Sequence, residues 1–270
     1  MPAAPFERDG STRAGFRLEE LPSGWLIGRF SLLAATPGIA HAVTTRRGPG
    51  FDPGAGAAAH RRSAAAMGAA LGARAVAFCR QVHGPDVLQV ARGGPAGPAD
   101  ALVTATPGLG VLGRSADCPL VLAVARDGRG RALAVGMAHA SWRSTVARIT
   151  ERMIARLLAA AGGDARPARV VAAIAPSAGP CCYEVGPDVR DAALAGLGPG
   201  GAGFFAWRDG RLIFDLWRAN VAQLRRAGVP APAVQTAGVC TICRADLFPS
   251  WRREGEAAGR FAAMIALAGP

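Results

Sequence analysis

The chain has 270 residues, half of them hydrophobic, with 31 basic against 19 acidic residues and a formal net charge of +12. That length suffices for one sizeable core, and no apolar run approaches the ~18 residues of a membrane span, so no membrane-spanning helix is expected. The charge does not argue for nucleic acid: every basic residue is an arginine, none stands in a run longer than two, and few aromatics interleave with them. A chain so rich in Arg, Gly, Pro and Ala carries the imprint of a GC-rich genome, and a basic surface still favours small anions such as phosphate.

In chain order, residues 1–20 are charged throughout and lack the apolar core of an export signal; they read as a flexible N-terminal segment of a cytoplasmic protein. Short apolar runs bounded by Gly, Pro or Asp then read as strands over 25–33, 75–82, 87–90, 101–104, 120–125, 133–138, 169–174, 234–237 and 261–267. A small-residue helix is expected over 57–71. Ser144–Ala161 carries Ile149, Met153, Ile154, Leu157 and Leu158 on one face and reads as one helix stopped by Gly162. Asp215–Ala227 repeats that spacing and ends at Gly228. Gly93–Pro98 and Leu197–Gly203 read as loops. Strands outnumber helices without regular alternation, which predicts an α+β fold: layered mixed sheets flanked by helices, in a single domain.

Six cysteines (79, 118, 181, 182, 240 and 243) and four histidines (41, 60, 83 and 139) make the candidate ligands easy to enumerate. Without an export signal the cysteines read as thiols or ligands, not as a disulfide framework. Three segments place a ligand-type residue beside a strand: Gln81-Val82-His83-Gly84, Ala116-Asp117-Cys118-Pro119 and His139-Ala140-Ser141-Trp142-Arg143. Two imidazoles and a thiolate suit Zn²⁺, and three protein ligands leave a fourth position for water or substrate. The alternative from spacing alone is ordinary packing, because nothing local forces these residues together. Cys240 and Cys243 have CxxC spacing, but no second CxxC completes a four-thiolate set. They read as core thiols, and the adjacent Cys181 and Cys182 read as poor chelators of one ion.

The strings QVHG, ADCPLVL, HASWR, PCCYEVG, FDLWRANVAQLRRAGV and LFPSWRREGEAAGR, in this order, resemble the bacterial polyphenol oxidase or laccase-domain family. Its members also carry the names purine nucleoside phosphorylase and peptidoglycan-editing factor. The resemblance runs from about Val43 to Leu267. It implies a layered α/β fold and a metal held by His83, Cys118 and His139, with the cysteine essential for activity. Two glycines of the family's HAGWRG are here Ser141 and Ser144, a costly change if either position needs a positive φ. The proline of the ADC motif sits one place early, and the rim from His41 to Arg62 departs most.

Among the activities those names suggest, multicopper oxidation needs roughly three mostly imidazole ligands for each of several coppers, more than four histidines supply; one adventitious copper is the most that set could hold. The favoured expectation is therefore a zinc-dependent purine nucleoside phosphorylase, one Zn²⁺ per chain, acting on adenosine and inosine with phosphate and with some adenosine deaminase activity. Cys118, His83 and His139 are its catalytic group. Arg143 is the phosphate candidate, at the start of a helix expected to be capped by Ser144. Arg46, Glu184 and Arg260 are further candidates at the rim. An amidohydrolase that removes a misincorporated amino acid from peptidoglycan precursors is the alternative, and a non-enzymatic partner-binding role the third.

Overall fold

A computed structural model describes residues 15–269. The strand Phe16–Glu20 pairs antiparallel with Leu26–Phe30, so the last part of the expected flexible segment is ordered; the rest of it lies outside the described residues. Two mixed sheets dominate. The first runs, edge to edge, Phe16–Glu20, Leu26–Phe30, Ile39–Thr44, Phe261–Leu267, Leu109–Ser115, Ala75–Arg80 and Gly94–Pro98. The second runs Val234–Thr236, Val170–Ile174, Leu120–Arg126, Ala132–His139, Ala101–Thr104 and Val87–Gln89. A separate hairpin joins Phe205–Arg208 to Arg211–Phe214.

The sheets pack face to face, and alternation within single strands shows how. Along the strand that ends the chain, Phe261, Ala263, Ile265 and Leu267 enter the core between the sheets together with Leu120, Leu122, Val124, Val135 and Met137. The intervening Ala262, Met264 and Ala266 pack outward against Ala64 and Met67 of the helix Gly56–Ala70. In the second sheet, Val121, Ala123 and Ala125 face outward, under Ile149, Met153, Ile154 and Leu157 of the helix Ile149–Ala161 and Leu224 of the helix Leu216–Arg226. The result is four layers: helix, sheet, sheet, helices. Strands buried on both faces read as continuous apolar runs, which is why FAAMIAL and LVLAVA were legible.

Several strands hide from that signal. Leu109–Ser115 contains two glycines, and a Cβ at Gly113 would sit 2.3 Å from Met137 Sδ of the facing sheet. Glycine there lets the two sheets approach closely without displacing the Met137 side chain, and no turn is involved. The Gly93–Pro98 loop expectation is corrected in the same sense: Gly94–Pro98 is an edge strand parallel to Ala75–Arg80, a place where prolines cost no shared ladder bond. The strand expected over 25–33 ends at Phe30, where Ser31–Ala34 turns helical. Ile39–Thr44 and the helix Pro187–Leu197 had no counterpart among the expected elements.

The single helix expected over 144–161 is two. Trp142–Val146 ends, Arg148 takes a left-handed backbone (φ 62°), and a new helix starts at Ile149. A non-glycine residue there costs about 1–2 kcal/mol. The helix Leu216–Arg226 supplies the compensation. Gln223 donates to the Thr145 carbonyl (2.7 Å) and accepts from the Thr150 amide (3.2 Å), while Asn220 donates to Thr145 Oγ1 and accepts from Thr150 Oγ1 (2.7 Å). At about 1 kcal/mol net for each hydrogen bond, four such bonds outweigh the strained residue. Helical periodicity sees only the apolar face and is blind to this trade.

His41 is part of this frame. It is buried, its Nε2 accepts the Phe30 amide (2.8 Å), and burial together with the Arg29 and Arg17 charges lowers its pKa to about 3. The unfolded chain therefore takes up the proton first. The neutral imidazole's contribution is complete above pH ~6.5 and is lost as pH falls from there toward 3, at about 1.4 kcal/mol for each pH unit. Chemical denaturation at pH 6.5 and 4.5 should show a loss of roughly 2–3 kcal/mol that His41→Gln largely removes. An unchanged pH slope in the variant would contradict this role.

Candidate metal centre and adjoining cleft

Three chain segments converge at one end of the paired sheets. His83 follows the strand Ala75–Arg80, Cys118 precedes Leu120–Arg126, and His139 ends Ala132–His139. One ligand atom from each lies within 4.8 Å of the other two. The two imidazoles meet edge to face at 5.1 Å between centroids. His139 is buried, Cys118 half-buried and His83 exposed, so the trio opens toward solvent from a buried base.

Asp100 builds that base. It is fully buried between Ala99 and the strand Ala101–Thr104. Its Oδ1 lies 2.8 Å from His139 Nδ1, and its Oδ2 accepts the backbone amides of Val82 (2.9 Å) and Gly84 (2.8 Å), the two neighbours of His83. Its carbonyl accepts the His139 amide (2.7 Å). One carboxylate thus fixes the tautomer of one imidazole and the loop that carries the other. With Nδ1–H committed to Asp100, Nε2 of His139 is the free ligand atom, the arrangement in which metal-binding histidines are held. Burial alone would raise the Asp100 pKa, but the hydrogen bonds from His139 and the two amides hold it below the usual carboxylate range.

A second carboxylate sets Cys118. Asp117 has a left-handed backbone (φ 91°), as does His83 (φ 61°). Strain of order 1–3 kcal/mol at such residues persists only where neighbours over-determine it. Here Asp117 Oδ1 accepts Thr241 Oγ1 (2.7 Å), and Oδ2 accepts Ser250 Oγ (3.0 Å) and the Arg252 amide (2.7 Å). Burial would raise the Cys118 pKa, yet the charges and hydrogen bonds of His139 and His83 bring it down to about 7. The same pairing, against burial, lifts His139 to about 9. A thiolate is available near neutral pH. Two imidazoles and one thiolate at this spacing fit a zinc-class ion, with three protein ligands and an open fourth position.

The two serines that replace family glycines are accommodated. Ser141 has φ −56° and caps the short helix, its Oγ accepting the Ser144 amide (3.2 Å); Ser144 Oγ donates to the His139 carbonyl (3.1 Å). The expected cap at Ser144 is therefore one turn late, and the helix Trp142–Val146 is too short to carry much dipole.

A cleft of about 630 Å³ opens beside this loop, lined among others by Trp142, Arg143, Tyr183, Glu184, Trp207 and Arg252. The guanidinium of Arg143 lies 4.4 Å from the Trp142 ring, and that of Arg252 5.4 Å from the Tyr183 ring. Burial and the negative charge of Cys118 push the Tyr183 phenol up, so it keeps its proton at neutral pH. Of the rim candidates, Arg143 and Glu184 line the cleft. Arg260 stacks on Trp251 (5.4 Å); burial lowers its pKa while the charges of Cys118 and Asp117 act in the opposite direction. Arg46 is placed otherwise: it pairs with Glu254 and donates to the Ala245 carbonyl (2.8 Å), so it braces the 245–254 segment. The roles of Asp100 and Asp117 were missed: Asp100 is a lone Asp beside an apolar run, and Asp117 stands inside the ADC string with no role assigned to it. The other two histidines are spent elsewhere, His41 on Phe30 and His60 on Arg114 (2.8 Å) and the Asp52 carbonyl (2.8 Å).

Fold and site together define a four-layer α+β protein with a candidate His₂Cys metal centre at the sheet ends. Residues 50–268 match the family described as multi-copper polyphenol oxidoreductase laccase, and the chain belongs to that family. It is 38% identical over 250 residues to a protein of Deinococcus radiodurans named purine nucleoside phosphorylase, covering 87% of this chain and 92% of that one. It is 36% identical over 200 residues to purine nucleoside phosphorylase YlmD of Geobacillus stearothermophilus, covering 69% and 70%. The crystal structure of YlmD from that organism superposes with a TM-score of 0.76 at 27% identity, over 93% of this chain and 98% of that one. Among the described residues no helix is long and apolar enough to cross a membrane.

Asn in place of Asp100 would keep the shape but offer an NH₂ to His139 Nδ1, favouring the tautomer whose Nε2 carries a proton and cannot ligate. Asp100→Asn should weaken metal binding at this centre about 10–100-fold, read by competition with a chromophoric chelator. Unchanged affinity would remove Asp100 from the account.

Proposed function

We propose that the protein is a purine nucleoside phosphorylase whose reacting centre is the zinc-class site of His83, Cys118 and His139, with adenosine and inosine as substrates. The observation that carries this reading is a three-ligand cluster whose His139 lies three residues before Trp142, and whose Cys118 follows the Asp117 held by Arg252, both Trp142 and Arg252 lining a cleft of aromatic rings and guanidinium groups. The names of the two relatives support the same reaction class.

Phosphorolysis joins a phosphate oxygen to C1′ of the ribose as the C1′–N9 bond breaks, leaving ribose 1-phosphate and a purine that takes up one proton. Arg143 and Arg252 would hold the phosphate dianion, and desolvation in the cleft strengthens that attraction. Trp142 would offer a face for the planar base. Tyr183, which keeps its proton at neutral pH, would donate toward the departing purine. A bound zinc ion would supply Lewis-acid stabilisation of developing negative charge. Asp100 keeps His139 oriented throughout.

Multicopper oxidation is disfavoured by the histidines themselves. With His41 and His60 committed to protein partners, two imidazoles remain for metal, fewer than a multicopper set requires.

The test is turnover of adenosine with and without phosphate, with products identified. Phosphate-dependent formation of adenine and ribose 1-phosphate is expected. Arg143→Ala should lower kcat/KM with phosphate by an amount equivalent to about 1.5–3 kcal/mol, and Cys118→Ala should cut kcat by orders of magnitude with little change in melting temperature. Adenine release that ignores phosphate would overturn phosphorolysis, and inosine plus ammonia as the sole products would move the activity to hydrolytic deamination. Near-normal turnover by Cys118→Ala would place the reacting centre elsewhere.

A further inference from the structure

Four of the five other cysteines meet in one cluster. Cys181 and Cys182 lie in the turn after Gly179, and Cys240 and Cys243 in a loop sixty residues further on, yet one sulfur from each lies within 4.8 Å of the other three. This arrangement runs against the expectation that the adjacent pair is a poor chelator of one ion. Cys243 Sγ is 3.3 Å from Cys182 Sγ and 3.7 Å from Cys181 Sγ. Four sulfurs at ~2.3 Å from a tetrahedral zinc ion are about 3.8 Å apart, whereas a disulfide requires ~2.05 Å. Cys240 is buried, but Cys181 and Cys243 are exposed and Cys182 half-buried, which is not how packing thiols are placed. The Gly179 amide donates to Cys240 Sγ (3.3 Å), a contact that stabilises a thiolate.

We propose that Cys181, Cys182, Cys240 and Cys243 form a second, structural metal site that takes a zinc-class divalent ion as a tetrathiolate. Binding displaces one proton from each thiol and leaves a closed coordination shell with no position for substrate.

The two segments it would join already bond to each other and both to Asp117, the residue before Cys118. The Ser177 amide donates to the Val239 carbonyl (3.2 Å) and the Thr241 amide to the Ser177 carbonyl (3.0 Å). Ala178 donates its amide to the Asp117 carbonyl (2.8 Å), and Thr241, inside the CxxC, donates Oγ1 to Asp117 Oδ1 (2.7 Å). Tyr183 of the cleft directly follows Cys182. The ion would staple the cleft wall to the strained residue preceding Cys118, and these cysteines are positioning residues. The proposal stands on the sulfur geometry and does not depend on the phosphorylase reading.

The experiment is metal counting and thiol mapping on full-length protein purified under reducing conditions. The wild type should carry two equivalents of zinc. His83→Ala/His139→Ala should keep one, and cobalt substitution of that variant should give the intense sulfur-to-metal charge transfer and tetrahedral bands of a four-thiolate site. Adding Cys240→Ser/Cys243→Ser should abolish both. In the wild type, independent of any variant's folding, alkylation mapped by peptide mass should rise at least about tenfold at the exposed Cys181 and Cys243 once a strong chelator is added. A metal-free His83→Ala/His139→Ala protein that binds no cobalt through sulfur would overturn the proposal. So would equal alkylation before and after chelation, or a disulfide within the cluster.

Discussion

Everything at the candidate centre hangs on one buried carboxylate. Burying a charge costs several kcal/mol unless hydrogen bonds and a counter-charge offset it. Asp100 has both: two amides from the His83 loop, and the imidazole of His139 whose charge is favoured by the neighbouring Cys118. Those bonds arise because the strand Ala101–Thr104 pairs with Ala132–His139, so that Ala101 opposes Ala138 and the preceding Asp100 meets the end of the strand that carries His139. Sheet register, not local sequence, decides that the three ligands meet.

The loops around this base are conformationally expensive and are held accordingly. His83 and Asp117 both carry positive φ, and each is tied down by its own carboxylate system, Asp100 through the amides flanking His83 and Asp117 through Thr241, Ser250 and Arg252. Strain placed next to ligand residues restricts how far the site can relax, which favours one ligand geometry over several. The same Arg252 that donates to Asp117 forms part of the cleft wall. Cleft and centre are therefore mechanically one unit: a change that loosens the 245–254 segment reaches the Cys118 loop through Asp117.

What the sequence disclosed, and what it withheld, follows from the kind of signal each element emits. Strands buried on both faces, such as Leu120–Arg126 and Phe261–Leu267, are legible as apolar runs, and the two long helices as periodic stripes. The glycine-bearing strands Leu109–Ser115 and Gly94–Pro98 are stabilised by close approach and edge pairing, which mimic loop composition. The break at Arg148 depends on Asn220 and Gln223 some seventy residues away. The three candidate metal ligands were named because they are rare residue types within recognisable strings. Asp100 and Asp117, equally necessary to the geometry, are common residues whose role exists only in three dimensions. The four clustered cysteines show the same limit: their pairwise spacings argued against a shared site, and only the meeting of two distant loops brings the sulfurs together.

The most direct test of a metal centre ordered by Asp100 is anomalous diffraction from crystals of the purified protein, recorded on both sides of the zinc absorption edge. The account predicts a zinc peak bonded to His139 Nε2, Cys118 Sγ and His83, with Asp100 still on His139 Nδ1 and the fourth position open toward the cleft. Protein that turns over nucleosides while showing no metal density among these three residues, or an ion bound directly to Asp100, would contradict it.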